Sequence, residues 1–383
     1  MSIIKIILFF LIFLTTIVNA SAQIPSWDIG QLNLIKTDSL WHFETRDGQT
    51  ISELGTWSEV AGYHNYYMGT YFTWKLSDSH TDTIKLANNI CHYFVVSNQQ
   101  HEEFLLSGYQ TIKPLKLARG VENIDTETQA LFLYKDSIHN QIPEHLLPKI
   151  RFISASNATL QAYSNQLSKI QQLRHLYISS GKGEEIPQEV GQLTNLIELR
   201  LSYMRIDSLP QSIKNLKRLK ILSLFYNKFQ ELPQVITTLQ NLEVLVLTYN
   251  RLQMLPASIS KLQKLKYLYL NRNQLTTISP AIGHLSSLKI LDLSNNKLHS
   301  LPSQIGNLSS LQELHLSENR LRKLPKKWHT LQQLEVLIAR QNNLKTLPME
   351  YEAMKALKNI NFMDNNIPLE TLHEFELMFD LED

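Results

Sequence analysis

The sequence predicts an α/β solenoid, with parallel strands along a concave face and short helical or 3₁₀ turns on the convex face, preceded by an all-β sandwich domain. Three observations predict it. Leu173, Leu196, Leu219, Leu242, Leu265, Leu288, Leu311, Leu334 and Leu357 follow one another at intervals of 23 residues, and a fixed period of this length marks stacked supersecondary units. Each unit holds an alternating pair such as Leu245 and Leu247, the pattern of a short strand with one apolar face. Most units then carry Leu-Pro, as at Leu255-Pro256, a step that forbids regular helix and turns the chain back along the outer side.

The unit is complete from Leu242 through Leu245, Leu247, Asn250, Leu252, Leu255, Pro256, Ile259 and Leu262. The asparagine column of Asn227, Asn250, Asn273, Asn296, Asn319, Asn342 and Asn365 falls where the chain leaves each strand. An amide there can bond backbone groups that a buried turn would leave orphaned, so the column reads as a structural ladder. This pattern resembles the leucine-rich repeat, in the 23-residue form with Leu-Pro-x-x-Ile that is similar to the repeats of Ras-suppressor-type, plant Ras-group and many bacterial proteins. The resemblance spans more than half the chain and implies a binding scaffold, without implying a particular ligand. Gly181 and Met204 stand where asparagine is expected, and Ser279-Pro280 shifts the proline by one place, so the ladder is expected to weaken toward its N-terminal end.

Residues 1–22 read as a secretory signal: Lys5, an apolar run from Ile6 to Val18, then Ala20-Ser21-Ala22 as a cleavage site. That run is short against the roughly 20 residues of a membrane span, which leaves an uncleaved anchor as the alternative and as the chain's one route to a membrane. The expectation is export, to a periplasmic, cell-surface or extracellular location. Cys91 is the single cysteine, so no disulfide framework holds the protein together. A net charge of +2 points to neither a nucleic-acid footprint nor a membrane-seeking basic face.

Residues 23–125 form a second domain, in which four of the five tryptophans occur (Trp27, Trp41, Trp57, Trp74). Alternating runs at Trp41-His42-Phe43, Phe72 to Leu76, Ile84-Lys85-Leu86, Tyr93 to Val96 and Leu131-Phe132-Leu133, punctuated by turn signals, suggest a sandwich. The order Trp41-x-Phe43, Trp57, Gly69-x-Tyr71-Phe72-x-Trp74, Tyr93-x-Val95-x-Ser97-Asn98 and Gly108 resembles the galactose-binding-like jelly roll, which implies a sugar-binding architecture. A tryptophan core in an unrelated β-domain is the alternative. Residues 126–172 read as a connector and worn capping repeat, 173–368 as the repeats, and 369–383 as a C-terminal cap whose apolar side covers the last unit.

Side chains that the core does not need line the concave face. Tyr203, Tyr226 and Tyr249 occupy one place in consecutive units and should stack at about 4.8 Å, the strand spacing. Phe225, Tyr267 and Tyr269 are expected to flank them, Val244 and Val246 to face outward between them, and Arg272 to follow them. Exposed rigid aromatics are the stuff of binding hot spots, although neighbouring tyrosines can also simply cover one another. Catalysis finds no support: the sequence has no nucleophile elbow, zincin helix, paired cysteines or phosphate loop, and the thirteen histidines are scattered. His175 and His315 read as surface hydrogen-bonders. The expectation is therefore a non-enzymatic scaffold with no cofactor or metal, binding a protein or peptide on the concave face. The alternative is a carbohydrate-binding envelope protein acting through the N-terminal sandwich, with the repeats as an arm.

Overall fold

The computed structural model describes residues 125–133, 142–156, 164–179, 185–346, 354–368 and 371, together with seven earlier strands described chiefly as backbone. The chain divides into two compact units, residues 1–132 and 133–383.

In the first unit β1 (Asn33–Thr37), β2 (Leu40–Glu44) and β3 (Thr50–Ile51) form an antiparallel sheet, with Leu34 opposite Phe43 and Phe43 opposite Ile51. A second set comprises β4 (Tyr71–Lys75), β5 (Tyr93–Ser97), β6 (Glu103–Ser107), β7 (Leu115–Arg119) and β8 (Ala130–Leu133). The pairs β4/β5 and β7/β8 are parallel, whereas β5/β6 and β6/β7 are antiparallel. Four of the five expected strands thus form. The fifth, Ile84-Lys85-Leu86, lies outside the described residues, as do Cys91, the signal segment, most of the C-terminal cap and the side-chain packing on which the sandwich and its jelly-roll resemblance rest.

The second unit is built from parallel strands in sequence order: β9 (Phe152–Ser156), β10 (His175–Ser179), β11 (Glu198–Ser202), β12 (Ile221–Ser223) and β13 (Val244–Val246). After β14 (Met254–Leu255), the same sheet continues with β15 (Tyr267–Tyr269), and after β16 (Thr277–Ile278) with β17 (Ile290–Asp292), β18 (Glu313–His315), β19 (Val336–Ile338) and β20 (Asn359–Asn361). Each residue pairs with the one 23 positions away, for example Leu222 with Leu245 and Leu245 with Leu268. The same offset holds between Phe152 and His175, which places the worn unit on the stack. Strands β14 and β16 make a second, two-stranded parallel contact.

The leucines of the repeat point into one continuous core: Leu242, Leu245, Leu247, Leu252 and Leu262 are all completely buried, and so are their counterparts one unit later. At roughly 1.5–3 kcal/mol per buried aliphatic side chain, this column is the main source of stability in a chain with no disulfide framework. The asparagines satisfy the turn beside it. Asn250 Nδ2 donates to the carbonyls of Leu224 (2.9 Å) and Leu247 (3.0 Å), and its Oδ1 accepts from Phe229 N (3.1 Å). Where Met204 interrupts the column, the next amide still serves it, because Asn227 Oδ1 accepts from both Met204 N and Ile206 N.

On the convex side Pro187, Pro210, Pro233, Pro256 and Pro302 each cap a single 3₁₀ turn, such as Gln211–Asn215 after Pro210 and Ser303–Asn307 after Pro302. The shifted proline is accommodated by one change of cap. Pro280 begins its turn while the Ser279 side chain accepts from Ala281 N at 3.3 Å, an arrangement in which the missing N–H of proline costs nothing. Gly283 lets successive turns approach, since a Cβ there would lie 2.4 Å from the Gln304 carbonyl oxygen. Ile142-Pro143, an aliphatic-Pro step outside the 23-residue register, likewise leads into a 3₁₀ turn, Glu144–Lys149. The buried Gln166 clamps Ile142, accepting from its N–H (3.1 Å) and donating to its carbonyl (2.7 Å).

Candidate functional site

The last residue before each asparagine position adopts a left-handed backbone, with φ of 55° at Tyr203, 54° at Tyr226, 55° at Tyr249 and 55° at Arg272. This conformation is uncommon for bulky residues, and here the parallel pairing on both sides enforces it. Tyr226 N donates to Thr248 O and Tyr249 N to Asn271 O, each in the next unit. Identical backbone at each step puts the three tyrosines in a column: the ring centroids of Tyr203 and Tyr226 are 4.7 Å apart, those of Tyr226 and Tyr249 5.5 Å. Arg272 completes the column, its guanidinium carbon 4.9 Å from the Tyr249 ring centre.

Phe225 underlies this column. It makes edge contacts with Tyr203 (5.1 Å) and Tyr249 (5.5 Å) and is only 2% exposed, while Tyr226 above it is 50% exposed. Tyr203 and Tyr249 are half-buried, as are Val244 and Tyr267, and Arg272 is exposed. Three residues expected to meet a partner directly are covered instead: Phe225, Val246 (4% exposed) and Tyr269 (6% exposed). Strands only about 4.8 Å apart let same-face neighbours shield one another, and Val246 sits between Ser223 and Tyr269 in the register. These three support the surface; they do not form it.

The reading of His175 as a surface residue is also corrected. His175, Tyr177, Glu198 and Arg200, on adjacent strands, form a buried cluster. Arg200 Nε donates to Glu198 Oε1 at 2.5 Å, His175 Nδ1 lies 3.3 Å from Glu198 Oε2, and the Arg200 guanidinium sits 4.8 Å from the Tyr177 ring centre. Phe152 packs edge-on against Tyr177 at 5.1 Å. Burial pushes the Glu198 carboxyl up, but the Arg200 charge, the His175 hydrogen bond and charge, and a Tyr177 hydrogen bond outweigh it and hold the group at about 2. A spacing of 23 between His175 and Glu198, with Arg200 two residues on, was the available signal. Sequence reasoning lists these residues singly because it pairs along a strand more readily than across strands.

His315 is half-buried, with its Nε2 3.0 Å from Glu313 Oε2. Burial lowers its pKa, yet the Glu313 hydrogen bond and the charges of Asp292 and Glu313 more than offset this and raise it. Burial raises Tyr203, with the neighbouring Tyr226 and Tyr249 adding to the shift, so the phenol remains a neutral donor. Among the described residues no group of three His, Cys, Asp or Glu side chains is placed to hold a metal ion, and no helix is long and apolar enough to cross a membrane.

Comparison with known proteins accords with this geometry. A leucine rich repeat model matches residues 240–298 and a leucine-rich repeat region model matches residues 278–381. No curated protein matches the chain. Among solved structures, a leucine-rich repeat protein of Leptospira interrogans is 32% identical with a TM-score of 0.60 over 63% of this chain, and the match spans 62% of that protein's length. An internalin from Listeria monocytogenes shares the fold at 20% identity and a TM-score of 0.54, over 61% of this chain and 74% of its own. Residues 240–381 thus carry leucine-rich repeats, and the parallel sheet with its short 3₁₀ turns matches a leucine-rich-repeat solenoid.

Proposed function

We propose that this protein is an exported, non-enzymatic recognition scaffold that binds a protein or peptide on the aromatic half of its concave face. The observation that carries the reading is the column of Tyr203, Tyr226 and Tyr249 propped on Phe225. Rings already ordered against one another lose little conformational freedom on binding, and a half-exposed aromatic on a rigid platform is the usual form of a hot spot. The signal-like Lys5 to Ala22 segment supports export.

Selection of a displayed random-peptide library on the mature chain tests the reading. Binders should lose at least tenfold in affinity, about 1.4 kcal/mol, when Tyr226 and Tyr249 are both replaced by alanine, while thermal unfolding stays cooperative. Affinity unchanged in that double variant would refute the concave aromatic face as the binding site.

A further inference from the structure

The tyrosine column has a second row beside it. Arg205, Lys228 and Arg251 lie two residues beyond Tyr203, Tyr226 and Tyr249, one on each unit, and all three are exposed. Backbone hydrogen bonds put them on adjacent rungs, Lys228 N donating to Ile206 O (2.8 Å) and Arg251 N to Phe229 O (2.9 Å). Among the described residues none of the three side chains has an ion-pair or hydrogen-bond partner. Some other cations of the solenoid do: Lys220 and Lys266 share Glu243, and Arg340 pairs with Asp364. The acids nearest in sequence, Asp207 and Glu231, lie past the buried Ile206 and Phe229 and make no ion pair with the row.

The stacking limits what can be bound. Tyr226 has Tyr203 on one side at 4.7 Å and Tyr249 on the other at 5.5 Å, and the far side of Tyr249 carries Arg272. Nucleobases are gripped through free aromatic faces, and a sugar's apolar side needs the same. Tyr226 and Tyr249 have thus used both faces within the column, and offer ring edges and neutral phenol donors. Those suit carbonyl and carboxylate oxygens. Three rungs at about 4.8 Å each span roughly 10 Å, the reach of about three residues of extended chain. Past Arg272 the same position holds Asn295, Glu318, Gln341 and Asp364; it supplies no further cation, and the charges of Glu318 and Asp364 would repel an acidic ligand and so set its register.

We propose that the occupant of this face is an extended acidic segment of a partner polypeptide, its carboxylates paired with Arg205, Lys228 and Arg251 and its backbone oxygens met by the tyrosine hydroxyls. This rests on the concave face being a peptide site. The test is fluorescence anisotropy of the full chain with a labelled ten-residue alternating Glu-Ser peptide, against a Lys-Ser peptide, a ten-nucleotide oligothymidine and dextran sulfate. The Glu-Ser peptide should bind, weaken with rising salt, and lose at least tenfold with Lys228→Glu plus Arg251→Glu. The same reversal at Lys297 and Arg320, beside the polar half of the face that begins at Asn295 and Glu318, should leave binding unchanged.

No binding of the Glu-Ser peptide, equal binding by the Lys228/Arg251 variant, an equal loss in the Lys297/Arg320 variant, or tighter binding of oligothymidine or dextran sulfate would each overturn the proposal. All substituted residues are exposed, and thermal unfolding of each variant verifies that it remains folded. If selected neutral peptides bind through Tyr226 and Tyr249 while the acidic peptide does not, only this inference falls. Neutral binders indifferent to those tyrosines would remove the broader reading as well.

Discussion

Glu198 and Glu313 stand at the same place in units five periods apart, each with a partner two residues on, yet they belong to different kinds of surface. Glu198 is 1% exposed and held by Arg200 and His175. Glu313 is half-buried and meets His315 alone among the hydrogen-bond and ion-pair partners described. The backbone around them is equivalent, with Glu198 opposite His175 and Ile221 and Glu313 opposite Ile290 and Val336. The difference comes from the side chains around them: Arg200, on the same strand, bonds Glu198 and lies over Tyr177 one rung away, and Tyr177 packs against Phe152 one rung further on. The same position therefore consolidates the fold at Glu198 and is left half-open at Glu313.

Replacing the two glutamates separates these roles. Glu198→Gln leaves Arg200 buried beside a neutral amide and should cost roughly 3–5 kcal/mol, as breaking a buried pair does, whereas Glu313→Gln should cost less than about 1 kcal/mol. Denaturant unfolding of both variants measures the contrast, and equal losses would erase it. The Glu313 effect should be full below the ordinary His value of 6.5 and fade as pH rises through the raised His315 value, because the pairing favours the protonated imidazole.

The acid limb of stability gives the next largest effect. Glu198 is lowered from 4.5 to about 2, so its contribution is complete above the unfolded value and disappears as pH falls through the folded one. Over that window the wild type should lose roughly 3 kcal/mol from this group, measured as urea midpoints between pH 5 and pH 2. The Glu198→Gln variant should lack that component of the slope.

A smaller effect tests whether the scaffold is indifferent to the face it carries. Asn250 stands behind the aromatic half and Asn296 behind the polar half. Asn296 makes the same bonds one unit pair later, donating to Leu270 O and Leu293 O and accepting from Leu275 N. Asn250→Ala and Asn296→Ala should each cost about 2 kcal/mol by orphaning buried backbone groups. Differential calorimetry should find the two losses equal within about 0.5 kcal/mol, and a clear inequality would tie the ladder to the concave side chains.

Much of this was legible beforehand because it is periodic. Leucines at 23-residue intervals, an asparagine in each turn from Asn227 onward and one proline per return define strand, turn and 3₁₀ step without knowledge of any distant contact. The tyrosine column followed from the same register. Concealed was the depth of each concave side chain. Phe225, Val246, Tyr269 and Asp292 are covered, whereas Ser294 and Val244, at positions of the same outward parity, are half-buried, so parity gives the face and neighbouring rungs give the depth.

The amino-acid order alone therefore determined the solenoid, its register and which side chains share the concave face, because each unit repeats a local pattern that can be satisfied in only one stacked arrangement. Tertiary structure decided what that face presents. Burial of Glu198 with His175 and Arg200, closure of the tyrosine faces on one another, and the unpaired row of Arg205, Lys228 and Arg251 all depend on contacts between units. Those contacts are set by side-chain volume and charge across the 4.8 Å or so between strands, a quantity that no single unit's sequence contains.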